Sequence, residues 1–160
     1  MTPLAWLLGL FLPACGAVGA QGLPVPQPLD LARIERPATP NTALAAPAGF
    51  QPPPDLVTPV YQVPAQQLYD AIRAVAAGQP RSFIAAEYPD RRQSHYVVRS
   101  AMFNFPDLVT IEAMPAGPAA SRLFVYSRSV FGRSDLGVNR ARVVAWLAAL
   151  DRSLTATQER

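Results

Sequence analysis

The side chains with most capacity for chemistry crowd into one stretch: Arg99, Asp107, Arg128, Asp135, Asn139, Arg140 and Arg142. Guanidiniums beside carboxylates serve two main purposes. They lock into a buried ion network, or one stays free to hold a carboxylate or phosphate, helped by the open N–H groups of a helix start. Acid–base catalysis is the use least suited to this set, because arginines keep neighbouring carboxylates ionised. Arg99, Arg128, Asn139 and Arg140 are therefore the candidate ligand-binding residues, and Asp107, Asp135 and Arg140 the candidate structural network. Arg140 shares a helix stripe with Leu136, Val143 and Leu147, so it is expected to be buried and to require a partner. Asp107 is favoured, having the strand parity of Val109 and Ile111; Asp135 and Glu112 are rivals. Arg142 is expected to point elsewhere.

Other residue types narrow the classes. The chain has one His (His95) and one Cys (Cys15), too few for a metal cluster of those ligands, and no cofactor is implied. His95 lies on a strand without a nucleophile beside it, so a surface or edge role is expected. Ser100, Ser127 and Ser134 lack the elbow that exposes a nucleophilic serine. Gly132 and Gly137 read as turn and close-packing positions, not as a phosphate loop, since no Lys follows them. All fourteen basic residues are Arg, scattered among eleven Asp and Glu for a net charge of +3. That is not the clustered basic stripe of a nucleic-acid surface.

These side chains must be positioned by a folded unit, and the chain begins with something else. Leu4 to Ala20 carries no charge and passes from an apolar run to small residues, the shape of a signal peptide over 1–20. Val18-Gly19-Ala20 suits cleavage before Gln21. Leu12-Pro13-Ala14-Cys15 offers lipidation at Cys15 as an alternative, and retention as an anchor is a third. The expected location is the periplasm, the exterior, or a membrane-anchored position facing the periplasm. Residues 21–55 are rich in Pro and Ala, which predicts an extended tether. A single domain is expected over 56–155, with 156–160 a tail; no Cys lies in it, so its core must hold it together.

Within that domain Val57 to Val63 suits an edge strand ending at Pro64. Leu68, Ile72 and Val75, widened by Ala65, Tyr69 and Ala76, predict a helix over 64–77 closed by Gly78. Strands are expected at 81–88, 94–102, 108–114 and 121–130, with turn-rich separators short enough to make neighbours antiparallel. A last helix is expected from the capping pair Ser134-Asp135 to about Leu154. The expected class is α+β: an antiparallel sheet of about five strands with two helices on one face, in the order β-α-β-β-β-β-α. Trp146 is expected at the exposed edge of the core stripe.

The segment from Tyr126 to Arg142 carries Ser127-Arg128, Gly132, Asp135, Gly137, Asn139, Arg140 and Arg142 at characteristic spacing. It resembles the signature of the domain of unknown function 1499 family. Arg99-Ser100 with Phe105, Asp107 and Val109 is similar to the family's preceding strand pair. Pro40-Asn41 is similar to its upstream Pro-Asn element, although Ala stands where that family often has Cys. The resemblance covers roughly residues 37 to 155 and implies an exported or membrane-associated domain without implying a reaction. The expected function is a non-catalytic binding module, exported or envelope-tethered, for a small anionic ligand or an envelope protein partner. A structural assembly factor docking through a strand edge or Trp146, and an uncharacterised hydrolase, are the alternatives.

Overall fold

The computed structural model describes residues 13–158. The apolar run Leu4–Leu12 and the last two residues lie outside them. A short helix, α1 (Pro13–Gly16), and a 3-10 turn at Leu31–Arg33 precede strands β1 (Thr42–Pro47), β2 (Leu56–Thr58) and β3 (Val60–Tyr61). Helix α2 (Ala65–Ala77) follows, then β4 (Ser82–Tyr88), β5 (Gln93–Arg99), β6 (Pro106–Gly117), β7 (Ala120–Ser129) and helix α3 (Val138–Gln158). The fold is α+β, as expected, but its sheet has seven strands instead of about five.

The sheet runs β2-β1-β7-β6-β5-β4, with β3 also pairing β7. The β4–β7 meander is antiparallel throughout, as its short turns require. The expected edge strand at 57–63 splits at Pro59. Its first half, β2, runs parallel to β1, and its second half, β3, pairs β7 at Ser121 and Arg122.

The largest correction concerns the expected tether. Residues 42–47 form β1, which pairs β7 on one side and β2 on the other. Ala43, Leu44, Ala45 and Ala46 are all fully buried. Ala43 and Ala45 join the core beneath the helices, and Leu44 and Ala46 join a second cluster on the opposite face. A strand buried on both faces shows no polar alternation, and four small or apolar residues next to a Pro-rich run imitate a linker. Upstream, Leu29, Leu31 and Ile34 pack on that second face with Phe124 and Tyr126. The Pro-rich segment is therefore a cover for the sheet.

Both long helices pack on the other face, as expected. Leu68, Tyr69, Ile72 and Ala76 of α2 meet Tyr96, Val109, Ile111, Leu123 and Val125. In α3 the buried residues are Asn139, Val143, Trp146 and Leu150, spaced 4, 3 and 4 apart. The expected stripe holds from Val143 onward and fails before it. Leu136 is 95% exposed, with φ of 53°, and Gly137 follows at 82°; together they form a left-handed turn before the helix. Leu136 and Arg140 therefore lie off the expected stripe, whereas Val143, Leu147, Leu150 and Leu154 pack on the core as their spacing predicts. Trp146 is only 2% exposed and meets Tyr96 edge-on at 6.1 Å, a core residue and not a docking residue.

Candidate functional site

Three polar groups stand out, and the first ties α3 to the sheet. Asp107 projects from β6 toward the helix side, and Arg142 donates to its Oδ2 at 2.6 Å. Each side chain is about 10% exposed. Arg142 also donates to Ser127 Oγ at 2.9 Å and to Asn139 Oδ1 at 2.7 Å. Asn139 is fully buried and saturated: Ser127 Oγ donates to it, and its amide serves Asn41 O, Ser129 Oγ and Asp135 Oδ2. Asp135 caps the helix by accepting from the backbone N–H of Gly137 and Asn139. Burial alone would raise its carboxyl; the hydrogen bonds from Asn139 and Gly137 outweigh that and hold it below the ordinary aspartate value. Asn41 completes the knot, its amide donating to Gly132 O at 2.7 Å.

The expected network thus exists with a different arginine. Arg140 is exposed on α3, and Arg142, one residue pair further on, makes the buried contact with Asp107. The cause is the helix register: Arg142 sits three residues after Asn139 and four before Trp146, on the core side. Next to the knot lies a cavity of about 190 Å³ between Phe105, Phe131 and Val138, with Asp107 and Asp135 in its wall. Two carboxylates make that cavity unsuited to an anion.

The second group surrounds Arg99, at the end of β5. This side chain is 3% exposed, and its guanidinium donates only to main-chain carbonyls. Nε reaches Gly19 O at 2.6 Å, Nη1 reaches Ala14 O at 2.7 Å and Asn104 O at 3.1 Å, and Nη2 reaches Gln21 O at 2.7 Å. Beside it Asn104, in the left-handed conformation at φ 59°, donates to Cys15 O and Ala17 O. Arg81 braces the pair, donating to Arg99 O and Asn104 Oδ1. No acidic side chain contacts Arg99 in a hydrogen bond or ion pair among the described residues. Burial lowers the guanidinium's pKa, and the charge of Arg81 adds to that. The occupant of this cradle is the stretch read as the end of a leader. Cys15 is fully buried in it, and burial raises its thiol pKa.

The third group lies beneath the Pro-rich cover. Gln93, fully buried, accepts from Leu29 N–H at 2.7 Å and donates to Leu29 O at 2.9 Å, fastening the segment as a strand partner would. Gln93 also bonds Glu112, whose carboxyl burial pushes up. His95 is no surface residue. It is 4% exposed, contacts Thr110 Oγ1 and Gln93 Oε1 at 3.0 Å each, and burial lowers its pKa to about 4. Tyr88 and Arg91 donate to Pro26 O and Leu29 O, so several side chains hold the cover by its backbone alone.

The four candidate ligand residues do not converge. Arg99 lies in its cradle, Asn139 in the buried knot, Arg128 on the covered face near Tyr126, and Arg140 beside Arg36 and Asp55 on the surface. Asn104, Arg142, Asn41 and Gln93 were not singled out as site residues. Asn104 carried a signal, since an Asn in a short turn before Phe105-Pro106 suits a left-handed position. Among the described residues no three His, Cys, Asp or Glu side chains gather as a metal site, and no helix is long and apolar enough to cross a membrane.

A meander sheet backed by two helices and closed by a buried Asn–Arg–Asp knot defines an α+β domain whose signature residues mostly build its frame. The model of the family described as protein of unknown function (DUF1499) matches residues 34–150, and the chain belongs to that family. The match begins upstream of β1, in agreement with the strand's place inside the sheet. No curated protein matches the chain.

Proposed function

We propose that the chain is an exported or envelope-tethered binding domain, periplasmic in location, and that its binding element is the Arg99 cradle. One observation carries this reading: a guanidinium 3% exposed, hydrogen-bonded through all three of its nitrogens, with neutral carbonyls and no carboxylate as partners. Structural arginines in a core are normally matched by a carboxylate, as Arg142 is by Asp107. A charge left without a counterion suits a site that receives one from outside. The ligand class is a small oxyanion, carboxylate or phosphate. The same residues do not favour hydrolysis, because the groups bonded to the guanidinium are all main-chain carbonyls and none is a general base. Export is supported by the uncharged apolar run ahead of Val18-Gly19-Ala20.

Assembly through a strand edge has an observation of its own: β4 is an edge strand carrying exposed Phe83 and Ile84. Native mass spectrometry of the protein recovered from its own envelope fraction separates the two readings. A monomer that begins at Gln21 and carries a small anionic adduct fits the binding domain, and one that begins at an acylated Cys15 fits envelope tethering. A defined oligomer without adduct fits assembly, and a full-length cytoplasmic species removes the export reading.

A further inference from the structure

We propose that residues 13–22 are a removable plug in an oxyanion site, so that displacing the leader opens the cradle to its ligand. The inference rests on the preceding reading of Arg99 as the binding element and adds what controls access to it. Ala14 and Cys15 of the plug are buried, and the hydrogen bonds that Arg99 and Asn104 give it all go to its backbone. Arg99 and Asn104 together donate to five of its carbonyls, those of Ala14, Cys15, Ala17, Gly19 and Gln21. Main-chain contacts of this kind tolerate many sequences, but the fold of the plug does not. Gly22 has φ of +81°, and a Cβ there would lie 2.7 Å from Ala17 Cβ and 3.0 Å from Ala14 Cα. The plug closes on itself only with glycine at that position.

Cutting the chain after Ala20 takes away four of the five carbonyls and leaves Gln21 O and Asn104 O as acceptors. Arg99 Nε, part of Nη1 and the Asn104 amide then face the volume that residues 14–19 had filled. Arg81, bonded to Asn104, adds a second positive charge beside them. A fork of donors around uncompensated positive charge matches the geometry of a carboxylate or phosphate. In the precursor the same donors are satisfied internally, so the unprocessed chain is closed to the ligand.

The test uses the full-length chain with its leader uncleaved, as wild type and as Gly22→Ala. Cys15, fully buried in the plug, reports occupancy through its rate of maleimide labelling. The glycine substitution should speed labelling by at least about tenfold, from strain at positive φ alone. Isothermal titration with inorganic phosphate and with acetate should then show binding to Gly22→Ala and none to wild type. A preference for phosphate or for acetate tells which oxyanion the site takes. A synthetic peptide of residues 13–22, added in excess, should suppress that binding. Equal Cys15 labelling in both chains, or measurable anion binding that is equal in both, overturns the plug. If Cys15 becomes reactive and neither anion binds, the plug stands as a structural element and the oxyanion reading of the cradle falls.

Discussion

Removing the Arg142 side chain probes the knot between α3 and the sheet most directly. Arg142→Ala deletes the 2.6 Å contact to Asp107 and the bonds to Ser127 and Asn139, at 2.9 and 2.7 Å. It leaves the Asp107 carboxylate about 10% exposed without its cation. Breaking a buried pair by removing one partner costs about 3–5 kcal/mol, and the slight exposure here favours about 3. Against a domain stability of roughly 5–15 kcal/mol, that is a large fraction. Arg140→Ala, two positions away on the exposed face, should stay within about 0.5 kcal/mol of wild type. Urea melts followed by circular dichroism measure both, and the midpoint should fall for Arg142→Ala at unchanged slope. Adding Asp107→Ala should reveal coupling of more than about 1 kcal/mol, because the two losses share one contact. Equal stability of Arg142→Ala and Arg140→Ala would refute the register of α3 and the knot with it.

Three further outcomes follow from the same structure. A chain starting at Asp55 lacks β1 and exposes the β7 edge, so it should show no cooperative melt in calorimetry. Trp146→Ala should cost about 3–5 kcal/mol by denaturant titration, since the ring is 2% exposed against Tyr96. His95 is held neutral, its pKa lowered from 6.5 to about 4, so the unfolded chain binds the extra proton between those values. Its contribution is complete above about pH 6.5 and falls by about 3 kcal/mol as pH drops toward 4. Glu112, raised by burial, acts in the opposite sense, so the comparison is wild type against His95→Asn at pH 7.5 and 4.5. An unchanged pH difference in His95→Asn would show that the imidazole does not carry it.

The meander from β4 to β7, α2 and the cap at Asp135 were legible in the chain because each depends on local order. Apolar spacing sets the face of α2, short turns impose antiparallel pairing, and Asp135 two residues before Gly137 binds nearby N–H groups. The parity of Asp107 was legible for the same reason: a strand places alternate residues on one face wherever it lies in the sheet. Three features were not legible. Whether Thr42–Pro47 is linker or strand depends on β7, some eighty residues away, which supplies its hydrogen bonds. The choice between Arg140 and Arg142 turned on the left-handed Leu136-Gly137 turn, which fixes where the helical count begins. Three of the four partners of Arg99 come from residues 14–21, about eighty positions upstream, and no pattern along the chain links them. Local periodicity set the meander, α2 and most of the core face of α3; the Leu136-Gly137 turn decided which arginine of α3 is satisfied within the fold, and long-range backbone pairing decided that Thr42–Pro47 is a strand and that Arg99 is left without a counterion.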